Sequence, residues 1–309
     1  MKNKKFRAFS LTEMSVAVLV IGILIAGITQ GSKMIKKSQI NNAKSLTKNS
    51  VVNNINGLSL WFETSLDSSF KASESIDNSS VGTWYDNSPS SLKKLNLTQS
   101  NDSYKPIYIK NGIGNLPSLQ FDGVDDFLNG NNLNLGANLT IFVVFNIDQG
   151  ALSATRDILA VFYDSDANLT NGNGMHGILI EATSSSTLRL LYRSPLGGGG
   201  GDSIFSTTTI SENKNYIASV TRNLPNASLR AWFNNAAIIS QANNPPVTNA
   251  SFNYQNLDIN IGALADNNPP ARAFKGKISE IIIFDRSLTQ SEIDNIELYL
   301  SKKYNIDML

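Results

Sequence analysis

The first pattern along the chain is an apolar run, FSLTEMSVAVLVIGILIAGI, from Phe9 to Ile28, whose only formal charge is Glu13. As a helix rising about 1.5 Å per residue, it spans about 30 Å, the hydrocarbon thickness of a bilayer. Helical spacing continues through Ile40, Ala43, Thr47, Val51, Ile55 and Leu58, and the first proline is Pro89. The spacing predicts one rod from Phe9 to about Asn54, roughly 70 Å long. Gly22, Gly27 and Gly31 are places for it to bend or to let another helix approach closely.

After Gly57 the period changes to short β-branched or aromatic runs separated by Asn, Asp, Gly and Ser. Strands are predicted at Ser118–Phe121, Leu139–Ile147, Ile158–Tyr163, Gly177–Ala182, Thr187–Arg193, Tyr216–Arg222, Leu229–Phe233, Asp258–Gly262 and Lys277–Phe284. Their number and spacing suggest a two-sheet sandwich or jelly roll. A helix closes the chain: Thr289-Gln290-Ser291-Glu292 is a capping box, Leu288 and Ile293 form its staple, and Ile293, Ile296, Leu300 and Tyr304 form its apolar face. The chain is therefore mainly β behind one long helix, and residues 58–309 are expected to fold alone.

Composition narrows the chemistry. The 309 residues include no cysteine, which excludes disulfides, thiolate metal sites and cysteine nucleophiles. One histidine, His176, nearly excludes the common triads and zinc constellations. Residues 1–50 hold nine Lys/Arg against Glu13 alone, a charge of +8, whereas the remainder carries −7. An acidic body makes nucleic acid an unsuitable partner. Lys2, Lys4, Lys5 and Arg7 hold the N-terminus in the cytoplasm, so the body is exported behind a single span over residues 9–28. A cleaved signal peptide is the plainer alternative, but no small-x-small site closes the apolar run.

A carboxylate in a spanning segment is costly unless paired, which singles out Glu13. Its setting, Ala8-Phe9-Ser10-Leu11-Thr12-Glu13, resembles the processing site of type IV prepilins. The resemblance implies a leader (residues 1–8) that prepilin peptidase cuts between Ala8 and Phe9, N-methylation of Phe9, and Glu13 acting in assembly with other pilin subunits. Ala8 departs from the family's usual glycine. The spindle helix would then be residues 9–56 and the head residues 57–309.

A second resemblance covers the head. Gly57-Leu58-Ser59-Leu60-Trp61-Phe62, Thr83-Trp84-Tyr85-Asp86-Asn87-Ser88, the stretch Leu119–Leu128 and the stretch Phe274–Leu288 with its following helix resemble bacterial laminin-G-like, concanavalin A-like jelly rolls. That family includes lectins, adhesion modules and inert spacers, so fold licenses no ligand by itself.

Other candidate sites have plain structural readings. Asp122, Asp125 and Asp126 look like a metal cluster, but Phe121-Asp122-Gly123 reads first as a strand ending in a turn. Asp164, Asp166 and Asn168 have the alternate-residue oxygens of a calcium loop, the one cofactor with any place in the chain. Leu169 and Met175 stand where such a loop needs Gly and Glu, so a solvated loop is the better reading. Gly197–Gly201 lacks the Lys-Ser/Thr of a phosphate loop. No Glu-x-Asp-x-x-Glu run of laminarinase-like sandwiches occurs, and Glu280 is expected to alternate into the core, so no enzyme is expected. The sequence therefore reads as a pilin-like subunit, inner-membrane as precursor and then in a pilus, pseudopilus or cell surface, with a head that displays a glycan-binding or other adhesive face. The alternatives are an anchored surface lectin that never polymerises and, behind it, a carbohydrate-active enzyme.

Overall fold

The structure is a computed structural model describing residues 10–89, 94–136, 138–163, 176–193, 201–207, 209–223, 226–233, 236–240, 254–264, 270 and 272–308. The chain divides into two compact units, residues 1–43 and residues 44–309.

The first unit is helical. Helix α1 runs over Leu11–Lys48, about 57 Å, and is long and apolar enough to cross a membrane. It stops six residues short of the expected end at Asn54. The Asn53 side-chain amide donates to the carbonyl oxygens of Lys48 (3.0 Å) and Thr47 (3.2 Å), supplying partners for two of the carbonyls that a helix end leaves open. A short 3₁₀ turn, Val51–Asn54, follows, with Val52 fully buried.

The second unit is a sandwich of two antiparallel sheets. One sheet has the order β14 (Ala236–Ser240), β13 (Asn226–Phe233), β12 (Lys214–Asn223), β7 (Leu139–Ile147), β16 (Lys275–Phe284), β5 (Ser118–Asp122) and β4 (Ile107–Ile109). Strand β1 (Leu58–Glu63) also pairs with β16, beyond the end of β5. The other sheet has the order β11 (Gly201–Phe205), β10 (Leu188–Arg193), β9 (His176–Ala182), β8 (Arg156–Tyr163), β15 (Tyr254–Ile261), β6 (Leu128–Leu135), β3 (Leu97–Thr98) and β2 (Thr83–Trp84). All nine predicted strands are present. Missed were β2, β3 and β4, which are too short for a period-2 pattern, β1, β11 and β14, and β6, whose Asn-rich sequence and irregular register put Leu128 out of phase with Leu133 and Leu135.

The alternate residues of both sheets meet in one core, including Phe62, Trp84, Phe121, Phe145, Leu159, Ile180, Ile259 and Ile281. Every residue of β7 is buried, because its second face also is covered. That cover is helix α2 (Gln290–Tyr304), which has both halves of the expected capping box and buries Ile293, Ile296, Leu300 and Tyr304. Under it lie Phe142, Ile282 and Phe284, while Ser219 Oγ of β12 donates to Glu297 Oε1 at 2.6 Å. A bulge between Ile278 and Glu280 resets the alternation of β16, so Ile278 and Ile281 both enter the sandwich.

The compact body begins before the expected boundary at residue 57. Thr47 Oγ1 and Tyr299 OH are 3.2 Å apart, and α2 packs against the Val51–Asn54 turn. A fragment of residues 44–309 should therefore melt cooperatively in calorimetry. A fragment beginning at Leu58 should melt about 5–10 °C lower, because it loses the buried Val52 and this contact, about 2–3 kcal/mol.

Candidate functional site

At the start of α1 the Ser10 backbone N–H donates to Glu13 Oε2 (2.7 Å), and the Glu13 N–H donates to Ser10 Oγ (3.2 Å). This is a reciprocal capping box, and Ser10-Leu11-Thr12-Glu13 carries its Ser-x-x-Glu signature. Glu13 thus has a local role besides any intermolecular one. Ala8 and Phe9 lie outside the described residues, as do Asp164, Asp166, Asn168, Gly197–Gly200 and the His176 side chain.

The Asp122–Asp126 turn takes its expected structural form. Asp122 Oδ1 accepts from the N–H groups of Val124 (2.7 Å) and Asp125 (3.3 Å), and Asp126 Oδ2 accepts from Asp122 N–H (2.8 Å). Gly123 sits at φ +81°, and a side chain there would meet Lys275 Cβ at 2.6 Å. Burial, then the neighbouring Asp122 charge, pushes the Asp126 carboxyl up to about 7, although the Asp122 N–H opposes this.

Two carboxylate pairs form that no local run revealed. Glu63 and Glu280 are register partners on β1 and β16, both pointing beneath α2 toward Lys303, whose Nζ lies 2.9 Å and 2.8 Å from them. Glu280 is thus buried as expected, though between sheet and helix rather than inside the sandwich. Trp61 Nε1 and Tyr299 OH donate to Glu280 Oε1, Tyr304 OH to Oε2, and Ser65, Leu66 and Ser69 to Glu63. Every carboxylate oxygen is occupied, so this is a structural lock.

The second pair lies on the outer face of the other sheet. Phe205, Arg189, Glu181 and Asp157 are successive register partners across β11, β10, β9 and β8. Arg272 Nε is 2.8 Å from Asp157 Oδ2, and both Arg272 and Arg189 pair with Glu181. Burial pushes the Asp157 carboxyl up to about 7 against the opposing pull of Arg272 and Arg189. Both acids are fully buried and ion-paired, so neither is placed to exchange protons with a substrate.

The next row on this face runs Thr83, Thr98, Asn129, Asn260, Ala160, Leu179 and Leu191, one residue from each of seven adjacent strands. Its apolar end is closed by Leu264. Its polar end opens into a cavity of about 430 Å³. Thr83, Thr98 and Asn129 form the sheet side of the cavity; Gln99, Ser100 and Lys105 continue the wall, with Lys71, Glu74, Gly82 and Phe127 around them. The sequence held no signal for this site, because its residues come from four separate segments.

No family model matches the sequence, and no curated protein matches it. Solved structures do. Trypanosoma rangeli sialidase in complex with sialic acid is 15% identical at a TM-score of 0.51, over 80% of this chain and 33% of that one. The Trypanosoma rangeli sialidase by itself is 15% identical at 0.50, over 88% and 39%. A Ruminococcus gnavus IT-sialidase CBM40 bound to alpha2,3 sialyllactose is 11% identical at 0.42, over 58% and 95%. The chain thus spans about a third to two-fifths of the sialidases it resembles, and at these identities the sialidase likeness is one of fold.

Proposed function

We propose that the chain is a type IV pilin-like subunit, of the minor-pilin or pseudopilin kind, whose laminin-G-like jelly-roll head binds glycans at the cell surface. The observation that carries this reading is α1: its apolar residues from Leu11 to Ile35 are exposed on all sides, and Glu13 is the only acid among the first fifty residues. The apolar run supplies the roughly twenty residues that a span needs, and the helix then continues to Lys48, as the spindle of a pilin-like subunit would. The basic leader and the Ala8-Phe9 junction support processing by prepilin peptidase at the inner membrane, followed by incorporation into a pilus or pseudopilus. The polar cavity on the head supports a binding role, and the closed carboxylate pairs support binding without catalysis.

One observation favours the second reading, an anchored surface lectin that does not polymerise. Glu13 already has a partner in Ser10, so its carboxylate does not depend on a neighbouring subunit. Mass spectrometry of the mature protein separates the two. Pilin processing predicts a chain starting at N-methylated Phe9, and a bulky substitution such as Ala8→Phe should leave the leader attached. An intact Met1, a start near Thr29, or a mature mass indifferent to Ala8→Phe would sink the pilin reading.

A further inference from the structure

We infer that the cavity beside β2, β3 and β6 is the glycan site of the head, and that it takes a neutral pyranoside rather than an acidic sugar. This inference rests on the reading of the head as a glycan-binding module. The volume, about 430 Å³, falls among small-ligand sites. Thr83, Thr98 and Ser100 offer hydroxyls, and Gln99 and Asn129 offer amides. Such groups both donate and accept, which matches the paired donor and acceptor character of vicinal sugar hydroxyls.

Charge decides the class of sugar. The cavity contains two lysines, but each already faces a carboxylate: Lys71 Nζ is 3.8 Å from Glu74 Oε1, and Lys105 is ion-paired with Asp102. Counted with these partners the site has no net positive charge to draw in a ligand carboxylate, and Glu74 in its wall would repel one. A neutral sugar meets no such repulsion.

One polar atom of the lining lacks a partner. Glu74 Oε1 accepts from the Gly82 N–H at 3.3 Å, but Glu74 Oε2 is shielded from solvent and has no hydrogen bond. Unmade hydrogen bonds of buried groups are costly and uncommon in a folded protein. A hydroxyl-bearing ligand supplies the donor that Glu74 lacks. Gly82 leaves room for both side chains: a Cβ there would lie 3.1 Å from Lys105 Cε and 3.2 Å from Glu74 Oε1.

The test uses the full chain in lauryldimethylamine oxide, a detergent without a sugar headgroup. The probes are neutral hexose, N-acetylhexosamine and fucosylated oligosaccharides printed beside their sialylated counterparts. We expect neutral probes to bind, with no gain from sialylation. Thr98→Trp, which fills the cavity from an exposed strand position, should weaken binding at least tenfold; Glu74→Gln should weaken it about tenfold, and Phe205→Ala, on the other row of the same face, should leave it unchanged. Unaltered thermal midpoints would show that the variants remain folded, and Asn129→Ala gives an independent lesion if Thr98→Trp does not fold. Glycan binding that survives the cavity variants, or that is lost in Phe205→Ala instead, would place the site elsewhere and leave the glycan-binding head standing. Binding confined to sialylated probes would overturn the neutral-sugar assignment. If the wild type binds no probe, the head reading and the site fall together.

Discussion

Replacing Lys303 with methionine is expected to destabilise the body by about 3–5 kcal/mol, the cost of removing one partner from a buried ion network. For a unit of this size that lowers the melting midpoint by about 10 °C. The reason is geometric. Lys303, Glu63 and Glu280 side chains are buried at 0–1% exposure, and the two glutamates face each other across adjacent strands. Without the ammonium, two desolvated carboxylates remain with neutral donors only. Replacing all three by apolar residues should recover much of the loss, since a well-packed apolar substitute avoids the desolvation cost.

The pH dependence has a definite sign. Burial pushes the Glu63 carboxyl up, but Lys303, then Ser65 and Ser69, outweigh it and hold it below its ordinary value. Its contribution is therefore present above the unfolded value of about 4.3 and is lost as pH falls through the lower folded value. Burial pushes Lys303 down, yet Glu280 and Glu63 raise it well above its ordinary value. That contribution is full below the unfolded value, about 10.4, and fades as pH rises through the folded one. In Lys303→Met the acid limb should invert: Glu63 keeps the burial that raises its carboxyl but loses the cation that lowers it, so the variant should gain stability as pH falls from neutrality toward the unfolded carboxyl value. Denaturant melts across pH check this; a variant within about 1 kcal/mol of wild type at pH 7 would mean that the lock is not energetically coupled.

Glu13→Gln and Glu13→Val are both expected to reduce incorporation into filaments about tenfold or more, while insertion and leader cutting persist. An uncompensated charge in a low-dielectric environment costs several kcal/mol, and each 1.4 kcal/mol is tenfold in an equilibrium. On the pilin reading, Glu13 neutralises the Phe9 amine created by cutting, within the chain or from an adjoining subunit. The Ser10 box makes the pair of variants informative. Glutamine at this position still accepts from Ser10 N–H and preserves the helix start, whereas valine removes both cap and charge. Equal losses identify the charge as the cause; a loss in valine alone identifies the cap. The measurement is the ratio of sheared-filament to membrane-bound protein in cells that also make wild-type pilins. If both variants enter filaments like wild type, the anchored-lectin reading becomes the better one.

Elements with a local cause were legible from the chain. The run from Phe9 to Ile28 announces α1, and Thr289-x-x-Glu292 with its Leu288–Ile293 staple announces α2 to the residue. Strand β7 was visible as LTIFVVFNI, and its lack of alternation, read more closely, already signals cover on both faces. The end of α1 was not legible, because helical spacing persists to Leu58 while the Asn53 amide takes the carbonyls that the helix leaves open at Thr47 and Lys48.

Sequence alone determined a basic N-terminal segment, an apolar helix with one acid, and a turn-rich β body closed by a capped helix, because each depends on residues within a few positions of one another. Only the tertiary structure decided which carboxylates meet. Lys303 and Glu63 are 240 residues apart, and no spacing rule reaches across a sandwich. The cavity has the same origin: Thr83, Thr98, Asn129 and Asn260 share one row only because four strands adopt one register. Period-2 alternation says that these side chains leave the core, but pairing alone says beside whom they stand.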